Sequence, residues 1–276
     1  MTKEMQDLSK CAVHTITTKP WSIETAIDKY ASMGIGGITV WRDTLTGRDP
    51  VLIGQQIKDA GMEAVALVRG GFFTYTSADE QAKAFADNRL AIMEAEAVGA
   101  PMVVLVCGAH PGQRLEESRN QIREGIEAVL PHAEAAGVTL AIEPLHPMYA
   151  DDRSAINTMK SANEMAEYFH SPYVGIAVDV YHLWWDPDLE QEIMRCGKNG
   201  NLTAFHVCDW RTPTTDFLLD RGLMGEGCID IPKIRGWVEK AGFKGFNEVE
   251  IFSKTRWEGD QDQWLKEIAD AYLKSV

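Results

Sequence analysis

Eight short β-like runs alternate with longer amphipathic stretches along this chain, and that alternation limits the fold more than any other feature. The runs are CAVHTIT (11–17), GITVW (37–41), EAVALV (63–68), MVVLVC (102–107), VTLAIE (138–143), VGIAVDV (174–180), LTAFHV (202–207) and FNEVEIF (246–252). The intervening stretches, such as SIETAIDKYASM, DPVLIGQQIKDA and SAINTMKSANEMAEYFH, have helical spacing; several open on a Ser or Asp fit to cap a first turn and several close on Gly. Strands separated by helices cannot pair as hairpins and so lie parallel, each crossover helix packed on one face. Eight such units predict an α/β fold of one kind, a closed (β/α)8 TIM barrel. An open doubly wound sheet would carry a Gly-rich phosphate turn after its first strand, and TITTKPW has none.

The 276 residues show no low-complexity linker, and barrels of this length form one domain, so residues 1–276 are expected to be a single unit. With 41 acidic against 27 basic residues the net charge is -14, which argues against nucleic acid and anionic membranes as partners. The five cysteines (Cys11, Cys107, Cys196, Cys208 and Cys228) are odd in number, widely spaced and without a CxxC pair, a pattern of reduced thiols. The opening MTKEMQDLSK is polar and no 18 apolar residues run together, so a cytoplasmic location is expected.

In a barrel of this kind the chemistry sits at the C-terminal mouth, which gives weight to ionisable residues at strand ends. Run five ends on Glu143, run six carries Asp179, run seven His206 and run eight Glu250. Singly, each reads as a solvated loop residue, a cap or a satisfied core histidine. Together they place a charge within or just after four consecutive apolar runs, which is costly unless the groups are paired or bind a metal. Neighbouring strand ends lie roughly 5 Å apart, so four inward side chains can meet on one ion. Three carboxylates and one imidazole suit a divalent ion: Mn²⁺ is expected, with Mg²⁺, Co²⁺ and Zn²⁺ as alternatives. Glu248 shares a strand face with Glu250; the latter is preferred because it lies nearer the strand end.

The motifs IEPLH, DVYH, HVCDW, GEGCIDIPKI and GFNEVEIF, within residues 138–253, resemble the sugar phosphate isomerase/epimerase family of xylose isomerase-like barrels, which includes ketose 3-epimerases, hydroxypyruvate isomerase and inosose isomerases and dehydratases. The resemblance implies that Glu143, Asp179, His206 and Glu250 are the metal ligands and that His182 contacts substrate. The chain departs from ketose 3-epimerases at Tyr149, where they have a second carboxylate, and at Thr212, where they have an arginine; Arg211 precedes it. EPLHPMYADDRSAIN with DVYHLWWDP is similar to a subgroup containing catalytic subunits of C-glycoside deglycosidases and lyases of 3-keto-glycosides.

The shared chemistry of that family is removal of a proton beside a carbonyl. Glu143, Glu250, His146 and His182 are the catalytic candidates, each able in principle to reach a C–H bond or protonate a leaving group. His146 separates isomerisation from elimination best, because an extra imidazole in the mouth would protonate a departing aglycone; packing beside Pro144 and Pro147 is its plain alternative. His14, Trp41, His110, Arg211 and Trp257, with His182, are the substrate-binding candidates, and Asp209 is a residue to orient a ligand or Arg211. No Lys/Arg cluster with a Gly-rich turn is visible, which favours an unphosphorylated substrate. The expected activity is thus a metal-dependent isomerase or epimerase of a keto-sugar or inosose, with a 3-keto-glycoside lyase or inosose dehydratase as the alternative. The expected assembly is a homo-oligomer, or a hetero-oligomer with a small subunit in the deglycosidase case. A DNA repair nuclease of the endonuclease IV kind needs more ligands than these, and a non-catalytic sugar-binding barrel is a further alternative.

Overall fold

The protein was analysed as a computed structural model that describes residues 7–276; the first six residues of the polar opening lie outside the described residues. Eight parallel strands close a barrel in sequence order: β1 (Cys11–His14), β2 (Gly37–Trp41), β3 (Glu63–Gly71), β4 (Met102–Val106), β5 (Thr139–Glu143), β6 (Val174–Asp179), β7 (Leu202–Val207) and β8 (Asn247–Val249). Around them run α1 (Ile23–Met33), α2 (Pro50–Asp59), α3 (Ala78–Val98), α4 (Leu115–Ala136), α5 (Met159–Phe169), the short α6 (Val180–Leu183), α7 (Leu189–Lys198), α8 (Ile231–Lys240), the short α9 (Lys254–Trp257) and α10 (Gln261–Ser275). No helix among the described residues is long and apolar enough to cross a membrane.

The cap residues act as their positions imply. The Ser22, Asp49 and Ser77 side chains accept from backbone N–H groups in the first turns of α1, α2 and α3, and Gly34, Gly99 and Gly137 close α1, α3 and α4 in the left-handed conformation. The amphipathic stretch 154–170 is helical only from Met159. Thr158 and Ser161 cap that end reciprocally, while the Asn157 amide donates to the Leu145 carbonyl and Ser154 bridges to Gly108, so 154–157 are tied to the mouth instead of coiling.

The period of two along each strand sends alternate residues into the barrel and against the helices. The helix-facing strand residues, such as Leu105 and Phe205, pack with Tyr30 of α1, Ile122 of α4 and Phe73 after β3 into the large core, all fully buried; each such side chain contributes about 1.5–3 kcal/mol. Inside, Ala66, Val68, Val104, Ala141, Ala177 and Ala204 form a separate cluster. Small side chains in that layer leave room for the polar groups above it.

Gly71, at the end of β3, has φ +101, and a Cβ there would lie 2.0 Å from the Val106 carbonyl oxygen. The Asn88 side chain clamps both its N–H and its C=O. Gly71→Ala is therefore expected to destabilise the protein by at least about 3 kcal/mol, read as a shift of the urea midpoint. A change under about 0.5 kcal/mol would contradict this account of the β3 terminus.

Candidate active site and metal centre

The four strand-end residues meet at the C-terminal mouth. Glu143 and Asp179 are the last residues of β5 and β6, His206 is the penultimate residue of β7, and Glu250 follows β8, its N–H still donating to the Val207 carbonyl at 3.2 Å. One ligand atom from each of Glu143, Asp179, His206 and Glu250 lies within 4.8 Å of every other, and all four residues are buried. Opposite ligands of a six-coordinate ion sit at about twice the metal–oxygen distance, roughly 4–5 Å, so the arrangement can be bridged by one divalent ion.

Glu248 belongs to a deeper layer. The register sets it beside His206, and it forms a second close group with His206 and His14. His14 lies 3.4 Å by Nε2 from Glu248 and 3.2 Å by Nδ1 from Glu250, and Trp41 Nε1 donates to its Nδ1. Thr39 donates to Glu248 from β2. This layer supports the ligands from below.

Arg221, which the sequence reading did not single out, is the largest addition to the site. Its guanidinium is 2.8 Å from Glu250, 3.2 Å from Asp179 and 3.3 Å from His182 Nε2, and it is buried under Tyr181 and Phe252. The loop after β7 delivers it, and Asp209 holds that loop. The Asp209 carboxylate accepts from the N–H groups of Trp210, Gly225 and Ile229, while Arg221 N–H donates to the Phe252 carbonyl. Asp209 thus orders the loop and does not orient a ligand histidine or pair with Arg211.

Three buried carboxylates of the ligand set face two cationic groups, the Arg221 guanidinium and the His206 imidazole. Burial, reinforced by Glu250 and Glu143 and opposed by Arg221, pushes the Asp179 carboxyl up to about 7. Burial works against His206 ionisation, but Glu248 and Glu143 outweigh it and raise the imidazole to about 10. Burial would raise Glu250 too, yet His14 and Arg221 hold it well below the usual carboxylate range. Burial and Arg221 together keep His182 neutral, well below the ordinary imidazole range. His206 Nδ1 lies 3.0 Å from Glu143, while its buried Nε2 is 3.8 Å from Glu248 in the deeper layer without a hydrogen bond. Three carboxylates and one imidazole, all buried and with a ligand atom each within 4.8 Å of one another, fit a divalent cation.

Above these groups lies a cavity of about 140 Å³ whose lining includes Glu143, Glu250, His182, Arg221, Trp41 and Phe252. A larger cavity of about 620 Å³ opens at the opposite end, among Lys10, Lys58, Lys244 and Phe246; the carboxylates on its wall are Glu63 and Glu248, and none of the four converging ligands lines it. The mouth is the candidate site because its polar groups converge on one volume.

Of the other residues picked from sequence, Trp41 and His182 reach the cavity and five do not. His14 is completely buried beneath it, occupied by Glu248, Glu250 and Trp41. His146 packs between Trp185 and Trp210, its Nδ1 accepting from Met148 N–H, and lies outside the cavity lining. His110 is turned to the Pro111 carbonyl at 2.9 Å. Arg211 is 45% exposed and paired with Asp220. Trp257 packs behind Phe252 and donates to the Ile16 carbonyl. In each case a local partner within reach of the loop captures the side chain. Conversely, Arg69 from β3 and Arg153 from the loop after β5 line the cavity with Arg221, a cluster dispersed over the sequence.

The family described as xylose isomerase-like TIM barrel matches residues 27–275. A crystal structure of protein SMc04130 from Sinorhizobium meliloti 1021 is 43% identical, with TM-score 0.93, covering 96% of this chain and 98% of that one. The IolI protein with a bound zinc atom is 17% identical with TM-score 0.82, covering 96% of each chain, a likeness of fold. L-ribulose-5-phosphate 3-epimerase UlaE of Escherichia coli O1:K1 is 27% identical over 169 residues, 60% of this chain and 55% of that protein, so the chain spans about half the length of the curated relatives it matches.

Proposed function

The chain belongs to the xylose isomerase-like TIM-barrel family, and on that premise we propose that it is a divalent-metal-dependent isomerase or epimerase of a keto-sugar or inosose. The observation that carries the reading is the convergence of Glu143, Asp179, His206 and Glu250 below a cavity that two of them also line. The likeness to a ketose-phosphate epimerase and to a zinc-binding barrel supports it.

A divalent ion held by those four residues would polarise the substrate carbonyl and stabilise the negative charge of the enediolate. Glu143 and Glu250 reach the cavity from β5 and from the end of β8, so one can take the α-proton from one face and the other return a proton to the opposite face, which inverts that carbon. Return of the proton to the neighbouring carbon gives isomerisation instead. Arg221 donates to His182 Nε2, which leaves the His182 proton on Nδ1, a buried atom without a protein partner and thus available to a substrate oxygen. Trp41, Val68, Val106, Leu145 and Phe252 wall the cavity with apolar surface and limit water beside the reacting carbons. With His146 held between two tryptophans, the residue that favoured elimination is absent from the wall.

The test is exchange of a substrate α-proton with solvent deuterium over a panel of keto-sugars and inososes. Exchange is expected with at least one and is expected to stop after EDTA treatment and resume with Mn²⁺; turnover that survives complete metal removal would end the proposal.

Metal binding has a defined pH dependence. In the metal-free protein His206 keeps its proton up to about pH 10 and Asp179 up to about pH 7. Both protons must leave for ligation, so they compete with the ion and affinity rises with pH. The expected slope is up to about two log units per pH unit below pH 7 and about one above it. Calorimetric titration with Mn²⁺ checks this, and a flat profile contradicts it.

A further inference from the structure

We infer that the wall of the cavity formed by Arg69 and Arg153 is an anion subsite, which takes a carboxylate or phosphate group of the substrate while the reacting carbons lie against Glu143 and Glu250. This rests on the keto-sugar reading above and narrows its substrate class to acidic sugars.

The two arginines stand out by their place: with Arg221 they line the cavity, whereas Arg89, Arg114, Arg119 and Arg123, which also make no ion pair among the described residues, lie outside it. Arg221, the third arginine of the lining, is paired with Asp179 and Glu250. Arg69 and Arg153 are half-buried, line the cavity, and make no ion pair or side-chain hydrogen bond among the described residues. Each guanidinium instead rests on an aromatic ring, Arg69 on Phe72 at 4.4 Å and Arg153 on Tyr149 at 5.3 Å, which leaves its N–H edge free. The two are near enough to repel: after burial, Arg153 is the main influence that lowers the Arg69 guanidinium from its ordinary value. Two partly desolvated cations side by side with ten N–H donors between them need an acceptor, and a carboxylate or phosphate satisfies them bidentately.

Their backbones are anchored, so the subsite is built in advance. Arg69 sits where the β3–β4 register shifts, an irregularity that re-aims a side chain, and its carbonyl accepts from Arg42. Arg153 accepts from Gly108 N–H at the end of β4 and donates to the Tyr149 carbonyl. The cavity is small, about 140 Å³, and Arg69 and Arg153 line it together with Glu143 and Glu250. An anion on this wall and the reacting carbons against Glu143 and Glu250 thus belong to one bound molecule.

Calorimetric titration of the full-length protein with inorganic phosphate, D-erythronate and neutral erythritol tests the subsite without any turnover. At least one of the two anions is expected to bind, and to bind about tenfold more weakly to Arg69→Gln and to Arg153→Gln, while erythritol does not distinguish the proteins. Preference for phosphate identifies a sugar phosphate, and preference for erythronate a sugar acid; either supports the inference. Arg153→Lys keeps the charge and is expected to stay within about threefold of the parent, and Arg89→Gln, outside the cavity lining, to match it. Equal affinity of parent, Arg69→Gln and Arg153→Gln for both anions, or no binding of either to the parent, would overturn it. Since binding is read apart from turnover, anion binding without any α-proton exchange would sink the keto-sugar reading alone.

Discussion

Glu250→Gln is expected to lower α-proton exchange by about 1,000-fold or more while the barrel stays folded. The substitution keeps the shape of the side chain and removes the charge. Glu250 is at once a member of the four-residue cage, a lining residue of the cavity, and the partner of Arg221 and of His14. Loss of a ligand weakens the hold on the ion, and loss of a carboxylate beside the reacting carbon removes one of the two bases; general acid–base catalysis alone accounts for about 10²–10⁴-fold. The fall is expected in kcat more than in KM, because the lost interactions act on charge that develops only during the reaction. A barrel that merely binds a sugar would be indifferent to this change, so retention of activity within about tenfold would contradict the catalytic role.

Arg221→Met is expected to destabilise the metal-free protein by about 3–5 kcal/mol, because it strands Asp179 and Glu250 as buried charges without their shared cation. The effect should depend on metal. A bound divalent ion supplies the missing positive charge, so saturating Mn²⁺ is expected to recover a large part of the loss, more than it adds to the parent protein. Urea denaturation of both proteins with EDTA and with Mn²⁺ measures the difference. If Arg221→Met were as stable as the parent without metal, the guanidinium would not be neutralising the cage.

These two residues also show what a sequence reveals and what it hides. Glu250 could be found because strand periodicity is local: an apolar run of period two gives the direction of each side chain, and a charge at its end is conspicuous. The same reasoning found Glu143, Asp179 and His206, and the closure of eight parallel strands follows from the alternation itself. Arg221 lies far along an irregular segment whose path is fixed by the bonds of Asp209 to Trp210, Gly225 and Ile229, contacts that no periodicity encodes. Arg69 and Arg153 were hidden in the same way, by a register shift in one case and a turn in the other. His110, His146, Arg211 and Trp257 were placed near the mouth by their position after a strand, but loop side chains go to whichever partner is nearest, and each found one outside the cavity. His14 has the right strand and the right face yet sits one layer too deep, because β1 ends there and Trp41 closes over it.

The account depends on one ion held jointly by residues of four neighbouring strand ends. Anomalous diffraction from crystals grown with Mn²⁺ tests this most directly. The expected result is a single strong peak within about 2.0–2.3 Å of one atom each of Glu143, Asp179, His206 and Glu250. A fully metal-loaded crystal whose peak lies elsewhere, or no peak at saturating Mn²⁺, would contradict it.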